Sequence, residues 1–342
     1  MKRHNMVFFG LGVLFMALFS CEPEKIEPPL PPPPIRDCSY DFTITAVDTP
    51  GLPPPNTGAI ETQYEYYERF SINDMCFDPN NPNRIALAFG LDNHPLFSNQ
   101  VGSVVIVFNL CSNESTTIYS LNQHQVVGLS WGSDDRILLS TSSPNAHIVI
   151  VNSDGSDQNS LQLEQWKYGA VDWATDQLSF FLSPKYSVIA SHIDLNGQFI
   201  DSDLGISTSG FSIKDSMMYY INYFGIYSLN INSGTGGLED QLGFSSNGDI
   251  DYDAHSNSII WCTDSIVAAS NLETGQRTEL LRNGDVHRWN KEIAVSSNGI
   301  IAYSSEVLSL GLSTSAVWKY RTELRFINAD GTNERRLVLD FQ

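Results

Sequence analysis

The sequence predicts an all-β chain, a six-bladed β-propeller of four-stranded antiparallel blades standing behind an N-terminal leader and a Pro-rich stalk. Two observations carry that expectation. From residue 65 onward, short runs rich in Val, Ile, Phe, Tyr and Trp are separated every eight to twelve residues by Asn, Asp, Gly and Ser, with no long 3.6-residue period. Polar turns also keep a fixed beat: Asn109–Asn113, Asn152–Gly155, Asp194–Gly197, Asn232–Gly234, Asn271–Gly275 and Asn328–Gly331. Their spacing averages about 44 residues, the length of a four-stranded blade. A single blade cannot bury both faces of its sheet, so each stacks on the next until a ring closes.

In chain order, the first element is the leader, residues 1–20. Lys2 and Arg3 precede an apolar run of fourteen residues, Met6–Phe19, and Ser20-Cys21 follows directly. That run is short of the roughly 20 residues a spanning helix needs, so it reads as a signal peptide. Leu18-Phe19-Ser20-Cys21 resembles the lipobox of bacterial lipoproteins, in which cleavage occurs before the Cys and its sulfur is lipidated. The resemblance implies a chain beginning at a lipidated Cys21, tethered to a membrane by that lipid. It would be an outer-membrane lipoprotein of the cell envelope, facing the periplasm or the cell surface.

Residues 21–38 are the lipidated Cys and stalk. Seven of the fifteen residues Glu22–Arg36 are Pro, which lacks a backbone donor and favours an extended polyproline II spacer. Residues 39–342 are assigned to the propeller domain, with repeats from about residue 65. Within it Ser39–Val47 alternates like an edge strand that closes or caps the ring.

Composition fits a folded domain. Of 342 residues, 42% are hydrophobic, enough for a core, and 39 acidic against 19 basic residues give a net charge of −20. Phosphate affinity comes from clustered Lys and Arg, and no such cluster follows Met1–Arg3, so nucleic acid is excluded as a partner. Besides Cys21, the chain has Cys38, Cys76, Cys111 and Cys262, without metal-ligand spacing. Cys38 with Cys111 is a conceivable disulfide, though spacing does not fix the pairing. Cys76 and Cys262 lie in strand-like runs and read as small buried residues.

A second marker keeps the same beat as the turns. Phe77, Trp131, Trp173, Ile213, Tyr252 and Val295 each end a short run just ahead of a polar turn, giving six units between residue 65 and the end. Trp131–Leu139 together with Ile148–Gly155 resembles one whole unit of the TolB-type propeller repeat, and Leu324–Leu337 resembles the second half of another. The likeness covers about residues 65–342, with the fourth and fifth units degenerate. It implies a propeller of the same WD40-like kind.

In such a ring the residues just ahead of each inner strand share the mouth of the central channel. His124, Trp166, Tyr168, His287, Arg288 and Trp289 are the ligand-binding candidates, with Arg69 and Asn247 at equivalent positions. Aromatic rings with polar tips suit a glycan or a peptide. Asp249, Asp251 and Asp253 alternate along the fifth inner strand, which puts three carboxylates on one face as a candidate Ca²⁺ site.

Catalytic signatures are thin. Gly205–Gly210 is one residue too long for a nucleophile elbow, and no H-E-x-x-H, P-loop or dinucleotide-binding motif occurs in residues 21–342. The leading expectation is therefore a non-catalytic, membrane-tethered propeller that recognises a protein or glycan, without an obligatory cofactor. The alternative is a polysaccharide lyase or hydrolase built from His124, His287, Glu292 and Asp249 at the mouth.

Overall fold

In the computed structural model, the described residues are 43–45, 68–93, 102–112, 114–122, 124–144, 146–163, 169–184, 190–201, 203–204, 206, 208, 210–222, 225–241, 248–283, 288–310 and 318–340. They are strands and turns without a helix. None therefore forms a helix long and apolar enough to cross a membrane. The leader and stalk lie outside them.

A short strand, β1 (Thr43–Thr45), precedes six sheets built in turn from consecutive strands. The first blade is β2 (Glu68–Asp78), β3 (Asn81–Asn93), β4 (Gly102–Asn109) and β5 (Ser115–Asn122); the second is β6 (Val126–Trp131), β7 (Arg136–Ser143), β8 (Ala146–Asn152) and β9 (Asn159–Leu161). The third is β10 (Gly169–Trp173), β11 (Ser179–Pro184), β12 (Ser191–Asp194) and β13 (Phe199–Asp201). The fourth is β14 (Phe211–Lys214), β15 (Met217–Asn222), β16 (Gly225–Asn230) and β17 (Thr235–Gln241). The fifth is β18 (Ile250–Asp253), β19 (Ser258–Cys262), β20 (Ile266–Asn271) and β21 (Arg277–Arg282), and the sixth is β22 (Arg288–Val295), β23 (Ile300–Leu310), β24 (Trp318–Asn328) and β25 (Arg335–Asp340).

The first strand of each blade packs on the first strand of the next, in the order β2, β6, β10, β14, β18, β22, and β22 packs back on β2. This is the expected six-bladed propeller. The six markers are the last or penultimate residues of these inner strands, and the six polar turns join the third and fourth strands. Those turns need a left-handed residue, which Gly155 supplies at φ 86° and Gly331 at φ 79°. β1 adds a fifth, parallel strand to the last blade, Thr43 lying opposite Val338, so the predicted edge strand is present on its outer side.

The core lies between blades. Ala86, Val105 and Ile118 of the first blade pack on Val126, Leu129, Trp131 and Leu139 of the second, and Leu138, Ile148 and Ile150 pack on Val171, Trp173 and Phe180 of the third. Arg84 stacks over Trp131 at 4.9 Å while binding Asp78 at 3.0 Å, and Arg136 stacks over Trp173 at 5.0 Å. Each Arg–Trp stack ties one blade to the next. Cys262 is buried and Cys76 half-buried, both as free thiols, whereas Cys111 is disulfide-bonded.

Candidate functional site

An inner strand is paired along one edge only, so the other edge presents unpaired backbone N–H groups toward the channel. Carboxylates of the preceding blade satisfy them. Asp74 accepts from Leu129 N at 2.5 Å, Asp172 from Ile213 N at 2.8 Å, Asp249 from Ile293 N at 2.9 Å and Asp251 from Val295 N at 2.7 Å. Three of these side chains also take the N–H of their own successor, Met75, Trp173 or Tyr252. Serines fill the gaps: Ser130 Oγ donates to Asp172 at 2.5 Å and Ser212 Oγ to Asp251 at 2.9 Å. The residue just ahead of the marker is thus Ser, Asp, Ser and Asp in blades two to five. In blades six and one the same position holds Ala294 and Cys76.

Two residues earlier on each strand, a second level carries Asp74, Gly128, Ala170, Gly210, Asp249 and Glu292. The large members belong to the consecutive blades five, six and one. Carboxylate oxygens of Asp74, Asp249 and Glu292 all lie within 4.8 Å of one another. Backbone bulges set this up, one between Ile72 and Asp74 and another between Asn290 and Ile293, because an extra residue re-aims the side chains beside it. Gly210 makes room: a Cβ there would lie 2.5 Å from Asp249 Oδ1.

Enclosure by the blades disfavours the charged forms. Burial pushes Asp172 up to about 7 and Asp251 up to about 6. Burial raises Asp249 as well, and raises Asp74 well above the carboxylate range, with the charge of Asp249 adding to it. The Cys76 thiol is driven up by burial and then by the Asp74 charge, so it is a poor nucleophile at neutral pH. Three converging carboxylates can share protons, or offer oxygen ligands to a hard divalent cation.

The structure gives Asp249, Asp251 and Asp253 different partners. All three lie along one stretch, but positions two apart on a strand are separated by nearly 7 Å. Each is used differently: Asp249 and Asp251 brace blade six, while Asp253, fully buried, accepts from His255 N at 2.9 Å and Ser256 Oγ at 2.5 Å as a turn carboxylate. Asp249 instead meets Asp74 and Glu292. Asp74 and Asp172 are absent from the sequence-derived candidates, although Asp172 could have been found by aligning the six markers and reading one residue back.

Among the mouth candidates, His124 lies half-buried just ahead of β6. Arg288 and Trp289 are the first residues of β22, opposite Val307 and Glu306, with their side chains outside the description. Trp166, Tyr168 and His287 lie outside the described residues, as does Asn247, and Arg69 is described by its backbone pairing with Asp92 alone. A Ser–His pair exists elsewhere: His192 Nε2 lies 2.7 Å from Ser179 Oγ. Ser179 is 4% exposed and the half-buried His192 stacks on Phe181 at 4.2 Å, so the pair is part of the packing of the third blade.

No protein-family model matches the chain, and no curated protein matches it by sequence. Solved structures do. A chain of a nidogen/laminin complex matches with TM-score 0.53 at 11% identity, covering 70% of this chain and 90% of that one. A putative TolB from Agrobacterium tumefaciens matches with TM-score 0.51 at 14% identity, covering 69% and 88%. A chain of hydrazine synthase from Kuenenia stuttgartiensis matches with TM-score 0.50 at 9% identity, covering 83% and 100%. At these identities the likeness is one of fold, and it bears out the TolB-type propeller read from the repeat units.

Proposed function

We propose that this chain is a cell-envelope lipoprotein whose propeller is a non-catalytic binding module. Lipid on Cys21 tethers it to the outer membrane, the Pro-rich segment is the spacer, and a protein or glycan ligand binds at the channel mouth. One observation supports this reading above the rest. Every blade runs from its inner strand outward, so the six inner strands begin on one face around the channel, where His124 precedes β6 and Arg288 and Trp289 open β22. Loops converging on one end of a rigid scaffold are where recognition residues collect. Pull-down from native envelope beside a glycan array, both with residues 39–342, tests it. Reproducible capture of one protein or glycan class supports the reading, and no capture in either format removes it.

A second reading, a polysaccharide lyase or hydrolase, is favoured by the Asp74, Asp249 and Glu292 group. A carboxyl kept protonated beside an ionised one has the makings of an acid–base pair. Turnover of acidic or neutral polysaccharides that disappears in Asp249→Asn and Glu292→Gln would establish it. Ca²⁺, if it is bound, belongs to this group.

A further inference from the structure

Among the described residues, two buried side-chain polar groups have no hydrogen-bond partner, the indole Nε1 of Trp131 and that of Trp173. Both belong to consecutive inner-strand markers, 7% and 6% exposed, each covered by an Arg of the blade before it. Buried donors in folded proteins are paired with protein or with ordered water, so an orphaned one marks a place where something else belongs. Trp261 shows the usual outcome: at 1% exposure its Nε1 donates to Ser270 Oγ at 3.0 Å.

Around Trp173 the acceptors are in place. A Cβ on the buried Gly132 would lie 2.9 Å from Asp134 Oδ1, 2.9 Å from Gln177 Oε1 and 3.2 Å from Trp173 Nε1. One donor and two acceptors, drawn from the second and third blades, therefore surround a single point. Gly132 is not among the glycines with a left-handed φ, so the position uses the missing side chain and not the backbone freedom. The surroundings hold these groups in position. Gln177, at φ 54°, turns back onto the second blade, where its Oε1 accepts from Asp134 N at 3.2 Å and its Nε2 donates to Ser133 Oγ. Arg136 donates through Nε to Asp134 Oδ2 at 2.5 Å and through Nη2 to the Gln177 carbonyl at 3.1 Å, with its guanidinium 5.0 Å over Trp173. Asp134 Oδ1 and Gln177 Oε1 each carry two lone pairs and each accepts one backbone N–H, from Arg136 and Asp134, so each has room for one further donor.

The occupant must accept one hydrogen bond and donate two. An alcohol has one proton to give, an ammonium has no lone pair, and a carboxylate has no proton, whereas water meets all three demands. We propose that the joint between the second and third blades is a water-binding site, in which one ordered water accepts from Trp173 Nε1 and donates to Asp134 Oδ1 and Gln177 Oε1. About three bonds is the usual number for a buried water. Asp134 is exposed and Gln177 half-buried, so the site fills from bulk solvent. The joint has a dry part, the stack of Arg136 on Trp173, and a wet part that Gly132 keeps open.

Magnetisation transfer from water to the indole protons tests this in the full-length protein, isotope-labelled at its six tryptophan indole nitrogens, with Trp173→Phe assigning the resonance. The expected result is a cross-peak between water and Trp173 Hε1 with the sign of a long-lived contact. It should be lost in Gly132→Ala, whose methyl group takes the shared point, while the Trp261 resonance keeps its position. No such cross-peak in the unaltered protein would overturn the proposal, and so would one that survives Gly132→Ala. If Gly132→Ala does not fold, a crystal structure of the unaltered protein decides. An ordered oxygen within hydrogen-bond reach of Trp173 Nε1, Asp134 Oδ1 and Gln177 Oε1 supports the site; three ordered side chains around no such oxygen would overturn it.

Discussion

Asp172 in the third blade accepts the backbone N–H of Ile213, in the fourth, at 2.8 Å. The bond is one link in a series in which carboxylates and serines cap the open edges of inner strands. It ties the ring together where no ladder can.

Removing that cap leaves a buried donor unpaired. Asp172→Ala should destabilise the domain by about 2–4 kcal/mol, whereas Asp172→Asn, which keeps an acceptor oxygen, should cost about 1 kcal/mol or less. Equilibrium denaturation of both variants checks this; equal losses would show that the bond to Ile213 contributes little.

Stability should rise as pH falls from 8 to 5. Asp172 and Asp251 titrate near 7 and 6 in the folded chain against an ordinary 3.8, so the folded state holds more protons in that window. Their contribution is complete below about 4 and is lost as pH rises through 6 to 7. Turn carboxylates work the other way: Asp154, Asp194 and Asp330 are held low by hydrogen bonds from Ser156, Gln198 and Thr332. The maximum should therefore fall between about pH 4 and 6. Thermal unfolding across pH should show it, and Asp172→Asn with Asp251→Asn should flatten the alkaline limb.

Trp131 is a structural residue, 7% exposed beneath Arg84. Trp131→Ala should cost about 3–5 kcal/mol, as aromatic deletions in cores do. Arg84→Ala should cost about 1–2 kcal/mol through the lost stack and the pairing with Asp78. Denaturant midpoints of the two single variants and the double variant separate the contributions.

Cys21→Ser should leave the protein unprocessed or free of the membrane fraction. Detergent dependence and processed mass identical to the unaltered protein would show that Cys21 is not lipidated.

The architecture was legible because its signals are local. The markers Phe77 to Val295 end the inner strands, and Asn–Gly turns reverse the outer hairpins, each within a few residues of sequence. The site was less so. Asp74 bonds Leu129 and Asp172 bonds Ile213, partners 55 and 41 residues away whose relation depends on how blades stack. Alternation did place Asp249 and Asp251 in one series, but the bulges at Asn73 and at Lys291 and Glu292 decided which acids converge, and nothing in a single strand's pattern announces a bulge. The mouth residues Trp166 and Trp289 rest on the sequence argument.

The binding face is the central claim, and the most direct test is capture by residues 39–342 carrying Trp166→Ala and Trp289→Ala, run on the glycan array and in the envelope pull-down beside the unaltered domain. The account predicts that each substitution weakens capture by about tenfold or more while the melting temperature moves little. Undiminished capture, or a stability loss of about 3–5 kcal/mol with the affinity of the folded fraction unchanged, would contradict it and return both tryptophans to the core.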